Sequence, residues 1–146
     1  MQQDYIEELK NNDFALLIEA GFIAVKQADE KASLQLFKAA QVLNPESTAP
    51  QIGLGFVALN KLDTEEATPI FESVVQKEPE NYLAQTFLGI CYLLTEGKRM
   101  EGKKIIQESA EKSSDQTIKN LGDISLSWAE KDILKEVKAP FFNNSQ

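Results

Sequence analysis

The sequence predicts an all-helical protein: three helix-turn-helix repeats stacked as a solenoid, a short helix before them and a capping helix after. Three observations carry this. Gly21, Gly55 and Gly89 fall 34 residues apart, with Ala20, Leu54 and Leu88 just before them. The same register continues through Ser33, Ala67 and Glu101, then Phe37, Phe71 and Ile105, then Ala40, Val74 and Glu108, and ends at Pro45, Pro79 and Ser113. Within each unit the residues around the glycine repeat at spacings of 3 and 4, which puts them on one helix face. Finally, Pro45 and Pro79 follow stretches ending at Leu43 and Lys77, where a proline just past the last turn separates one helix from the next.

Taken in order, "MQQDYIEELKNND" reads as a short polar helix near 2–11. Repeat one (14–47) holds helices at 14–27 and 30–43, broken by Gln27-Ala28-Asp29-Glu30. Repeat two (48–81) holds helices at 48–60 and 64–77; Pro69 lies inside the second, so that helix is expected to start late behind Thr68 or to kink. Repeat three (82–114) holds helices at 82–95 and 99–112, with "TEGKRMEGKK" adding turn character between them. A helix at 115–138 is expected to cap the solenoid through Ile118, Leu121, Trp128, Ile133 and Leu134, which leaves 139–146 as a tail. Residues 1–138 are read as one domain.

The face formed by Leu17, Ala20, Gly21 and Ala24 is expected to pack on the second helix of its repeat, as are Gln51, Leu54, Gly55 and Ala58, and Gln85, Leu88, Gly89 and Tyr92. Glycine there permits close backbone approach, at about 1 kcal/mol of helix propensity.

Composition narrows the functions available. Fifteen Lys and Arg against 23 Asp and Glu leave a net charge of -8, and Arg99 is the only arginine, a poor match to a phosphate backbone. No nucleic acid is expected as a partner. The lack of histidine and the single Cys91 exclude an intrachain disulfide, a Cys-His zinc site and His-dependent catalysis. No metal, cofactor or catalytic residue is expected, and Cys91 in "LGICYLL" reads as a small buried residue. No apolar run approaches the roughly 20 residues of a membrane span and the N-terminus is acidic, so a cytoplasmic protein is expected. "GKRMEGKK" approximates a phosphate-binding loop, but it follows a helix and has Lys104 where the hydroxyl belongs. It reads as a helix-helix turn. "NNS" at 143–145 fits a glycosylation site that matters only in a secreted chain.

A second stripe runs along the first helix of each repeat: Ala15, Ile18, Phe22 and Val25; Ala49, Ile52, Phe56 and Leu59; Leu83, Thr86, Ile90 and Leu93, with Phe87 adjacent. Eleven of these twelve aligned positions, Phe87 aside, are apolar, Thr86 being the exception. A stripe of this extent needs something to cover it. Either the N- or C-terminal helix docks there, or two copies pair, or a segment of another protein lies on it with Phe22, Phe56 and Phe87 as anchors.

The 34-residue period, with a small residue in the first helix, an aromatic in the second and a terminal proline, resembles the tetratricopeptide repeat, or TPR. In that family the second stripe lines the concave side, so the resemblance implies an apolar groove without the lysine and asparagine clamp that grips a peptide C-terminus. Over about residues 14 to 112, "LFKAAQVLNPESTAPQIGLGFVALNKLDTEEA" is similar to TPR chaperones of bacterial type III secretion. That resemblance implies a chaperone that holds a small, aggregation-prone export substrate, a needle subunit or a translocator. The short chain favours the needle class. The alternative is a structural scaffold whose groove a larger assembly occupies.

Overall fold

The computed structural model describes residues 2–133. In chain order they form α1 (Gln2–Lys26), α2 (Glu30–Leu43), α3 (Ala49–Asn60), α4 (Thr64–Lys77), α5 (Tyr82–Leu93), α6 (Arg99–Lys112) and α7 (Gln116–Trp128), closed by a π-helical turn at Ala129–Ile133. No strand occurs among the described residues, and the protein is all-α. The chain divides after Lys77 into two compact units, one holding α1 to α4 and the other α5 to the π-helical turn.

The first unit starts with a correction. The expected helices at 2–11 and 14–27 are one 25-residue helix, because Asn11-Asn12-Asp13 holds neither Gly nor Pro and costs only a few tenths of a kcal/mol per residue in propensity. A single rod cannot fold its first turns back onto its own apolar stripe, so docking by the N-terminal helix is excluded.

Two identical turns then build the hairpins α1–α2 and α3–α4. Ala28 and Leu62, 34 residues apart, take left-handed φ values of 59° and 58°. The amides that follow reach back five residues, Asp29 to the Ala24 carbonyl at 2.9 Å and Asp63 to the Ala58 carbonyl at 3.0 Å. This closes the preceding helix in a Schellman-type turn. The same aspartates cap the next helix: Asp29 Oδ1 accepts from the Ala32 amide at 3.0 Å and Asp63 Oδ1 from the Glu66 amide at 3.1 Å. One residue thus ends one helix and starts the next. Lys61 Nζ also donates to Glu30 Oε1 at 2.8 Å, and that carboxylate raises the lysine above its ordinary pKa.

Inside the hairpins an aromatic ring fills a notch cut by glycine. Phe37 is fully buried on α2, and a Cβ added at Gly21 would lie 2.5 Å from its ring. Gly53 of α3 leaves the other notch for the same ring. Phe71 of α4 is likewise buried, 2.6 Å from a Cβ built on Gly55. Burying each ring stabilises the unit by roughly 1.5–3 kcal/mol. Pro69 neither delays nor ends α4, which runs from Thr64 through to Lys77 with the proline on its exposed side.

The second unit uses the same plan with a slip of one residue. Its turn spans Leu94–Lys98 and reverses at Gly97, φ 82°, where the earlier turns need only three residues. The buried residues of α6 are therefore Gly102, Ile106 and Ser109, each 35 residues after Ala67, Phe71 and Val74. Glu101 and Glu108, expected at those places from the constant period, are exposed, and Ile105 is only half-buried. Ile106 takes the ring's place, 2.5 Å from a Cβ built on Gly89. α5 and α6 cross backbone to backbone: a Cβ on Gly102 would lie 2.6 Å from the Gly89 carbonyl oxygen and 2.8 Å from the Leu93 nitrogen. The apparent phosphate loop is thus a turn whose second glycine is filled by a neighbouring helix. α7 then packs on α6, where Gly122 faces Ala110 and Ile106. Leu134, the side chain of Ile133, the tail 139–146 and the sequon at 143–145 lie outside the described residues.

Candidate partner-binding face

The expected stripe has a different fate in each unit. In the first unit α1 carries Ala15, Ile18, Phe22 and Val25, and α3 carries Ala49, Ile52, Phe56 and Leu59. The rings of Phe22 and Phe56 lie 5.6 Å apart and tilted by 50°, and so join the two helices. Phe22 also meets Phe37 edge-on, centroids 5.1 Å apart and planes at 74°. Such pairs contribute roughly 0.5–1.5 kcal/mol beyond area burial. Phe22 is therefore part of the hairpin's packing as well as of its surface. Ile52 and Leu59 are buried too. What faces outward is Ala15, exposed, with Ile18, Phe22, Val25, Ala49 and Phe56, half-buried.

In the second unit the stripe on α5 is mostly internal. Thr86 is 0% exposed, and its Oγ1 lies 2.9 Å from Ser109 Oγ on α6. With one proton each, one hydroxyl donates to the other and the second donates to its own backbone carbonyl, Tyr82 at 2.7 Å from Thr86 or Ile106 at 3.0 Å from Ser109. The pair satisfies itself within the core, as buried hydroxyls must. Leu93, 1% exposed, clusters with Ile106 and Ala129, and Ile90 and Leu126 pack against them. The C-terminal segment, through Leu126 and Ala129, thus covers the part of the stripe at Ile90 and Leu93. Phe87 is buried as well, and Leu83 is half-buried. Thr86, Phe87 and Leu93 are interior residues, so the expected partner contacts there are corrected. A period-based reading projects every first helix onto the same face; it does not show that α7, although it echoes the first helices at Leu121-Gly122, packs beside α5.

Two glycines carry no signal in the 34-residue period. Gly53 was hidden because its 34-residue equivalents are Glu19 and Phe87, so the period gave it no weight. Gly102 was hidden by the one-residue slip, although a second glycine five residues after Gly97 was a usable signal.

The chemistry on offer is apolar contact. Among the described residues no cluster of His, Cys, Asp or Glu is arranged to hold a metal ion, and no helix is long and apolar enough to cross a membrane. Cys91 is buried in α5. A cavity of about 200 Å³ between the two turns of the first unit is lined by Val25, Ala28, Glu30, Ser33, Val57, Asn60 and Lys61. Its charged pair, Glu30 and Lys61, is already engaged with itself. No family model and no curated protein matches the chain.

Proposed function

We propose that the protein is a non-enzymatic TPR chaperone that holds an apolar segment of a small, aggregation-prone secreted protein, a type III secretion needle subunit or translocator, before export. The observation that carries this reading is the outward face of the first unit, where Ala15, Ile18, Phe22, Val25, Ala49 and Phe56 place apolar surface on two adjacent helices. The repeat resemblance supports it, since the turns at Ala28-Asp29 and Leu62-Asp63 recur after 34 residues with the same geometry. The proposed client contact is confined to the first unit, because Thr86, Phe87 and Leu93 are buried in the second. An amphipathic helix laid on this face would gain affinity from a few anchors such as Phe56. The alternative, a permanent scaffold subunit, uses the same face but never releases its partner.

The test is co-expression with the needle subunit and translocators of the same cell. A soluble complex with one of them is expected. Ile18→Lys, on the half-buried face, should weaken binding at least tenfold with little change in the melting midpoint, because an unpaired charge is costly only once the client covers it. Phe71→Asp puts the charge in the core and should unfold the first unit with or without client. If Ile18→Lys binds as tightly as the parent, the face is not the client site. If no such protein stays in solution with the chain, the chaperone reading fails.

A further inference from the structure

The cavity between the two turns of the first unit has a chemistry of its own. At about 200 Å³ it is smaller than the roughly 300–1,000 Å³ of pockets for drug-sized ligands, so it has room for one short chain. Its lining has an apolar part and an accepting part. Val25, Ala28 and Val57 supply the first, with Val57 buried. In the second, Ser33 Oγ gives its proton to the Glu30 carbonyl at 2.8 Å and Asn60 Nδ2 donates to the Phe56 carbonyl at 2.9 Å, which leaves both side-chain oxygens as acceptors. Glu30 adds a carboxylate. The ammonium of Lys61 already sits on that carboxylate at 2.8 Å. Charge here is unbalanced, because Glu30, Glu66 and Asp63 all act on the one Lys61 ammonium. The whole unit is acidic as well: residues 1–77 hold 6 Lys and no Arg against 12 Asp and Glu, a net of -6.

From this geometry we infer that the cavity is a cation site that takes a short aliphatic chain ending in an ammonium, the chemistry of a lysine side chain or of a free primary amine. The stem lies on Val25, Ala28 and Val57, and the ammonium bonds Glu30, with the oxygens of Ser33 and Asn60 as further acceptors. Lys61 is the resident competitor. Its side chain and that of Glu30 are 45% and 49% exposed, and an ion pair so open to water holds little net free energy, so it exchanges readily. Displaced, Lys61 turns to solvent. Three carboxylates then face two ammonium groups, and the cluster is still not positive. The same carboxylates repel an anion, and a neutral chain of equal length gains only the apolar part. The site stands apart from the client reading: it shares Val25 with that face, but neither Ile18 nor Phe56 lines it.

Titration of the methyl-labelled full chain with n-butylammonium should shift the signals of Val25, Ala28 and Val57 in a saturable way, with a dissociation constant of about 1–20 mM. Butanol and butyrate should not. Acetyl-lysine methylamide, which carries the same ammonium on a peptide unit, tells the sources apart: binding at least as tight as that of butylammonium assigns the site to a lysine of another protein, and weaker binding assigns it to a free amine. Lys61→Ala should tighten butylammonium at least threefold, a gain that damage to the fold does not produce. Glu30→Gln should weaken it at least fivefold. Both residues are exposed, so both variants should melt close to the parent. Signals that stay fixed up to about 100 mM butylammonium, an equal response to butyrate, a Lys61→Ala chain that binds no tighter than the parent, or a Glu30→Gln chain that binds as tightly would each overturn the proposal.

Discussion

The hairpin α3–α4 and the hairpin α5–α6 solve one packing problem with different materials. In α3–α4 the second helix offers Phe71 to the notch at Gly55, and the space between backbones is filled by a ring. In α5–α6 the second helix offers Ile106 and then Gly102, so the backbones touch where Gly102 meets the Gly89 carbonyl. The polar content follows. Ile52 and Val74 of the first unit correspond to Thr86 and Ser109 of the second, and those two hydroxyls bond to each other in the core. The turns differ too, since Asp63 caps α4 with its side chain whereas Lys98 stands before α6 with no side-chain bond to the helix. A wider helix separation suits apolar side chains and a tight crossing needs small residues. The same repeat plan therefore does not give the same sensitivity to substitution.

The largest expected effect follows from the crossing. In Gly102→Leu the new side chain would meet the Gly89 carbonyl and the Leu93 nitrogen, atoms that cannot rotate away, so a loss of about 3 kcal/mol is expected. Gly55→Ala adds one methyl against the Phe71 ring, which can tilt, and about 1–2 kcal/mol is expected. Urea midpoints of the two variants decide it. If Gly55→Ala proves the worse, the crossing in the second unit is looser than its geometry implies.

Much of this fold could be read from the chain. The ends of α2, α4 and α6 coincide with those drawn from the period, the prolines and the caps, because local signals set helix limits. The join between 2–11 and 14–27 was not legible: a run of Asn, Asn and Asp looks like a break yet costs a helix little. The slip in α6 was not legible either, because Ile105 and Ile106 are both isoleucine and only the count of residues in the turn chooses between them. Of the candidate stripe, its course along α1 and α3 follows from spacing, but spacing does not separate Ile52 and Leu59, which are buried, from Ile18 and Phe56, which are half-exposed. The half on α5 was misjudged, because coverage by Leu126 and Ala129 is a tertiary fact that no spacing within α5 records.

The hydroxyl pair gives a smaller effect with a sharper signature. Thr86→Val keeps the shape and removes one partner; Ser109→Ala removes the other. Each should cost about 1 kcal/mol, because the remaining hydroxyl still reaches a backbone carbonyl, Tyr82 for threonine or Ile106 for serine. The double variant should cost about as much as either alone, giving a coupling near 1 kcal/mol in a double-mutant cycle. Strict additivity would show that the two hydroxyls do not act together, and that the core of the second unit is polar by substitution only.

The smallest effect tests whether the turns can be made alike. Asp63→Ala removes the acceptor of the Glu66 amide and should cost about 1 kcal/mol. The reverse experiment is Lys98→Asp, which supplies α6 with the kind of cap that α4 already has. Lys98 is not idle, however: its Nζ lies 4.8 Å from the centroid of the Tyr92 ring, a cation–π contact on the order of 0.5–1 kcal/mol at an exposed site. The proper reference is therefore Lys98→Ala, which loses that contact and gains nothing. Against it, Lys98→Asp should be more stable by about 0.5–1 kcal/mol, both from the new bond to an amide of the first turn and from a carboxylate at the positive end of the helix dipole. The backbone favours the smaller figure, since Lys98 has φ -117° and ψ 6° whereas Asp29 caps α2 at φ -95° and ψ 81°. If the two variants melt together, the extra residues of the third turn have moved position 98 out of capping reach. The two units would then differ in backbone path as well as in side chains.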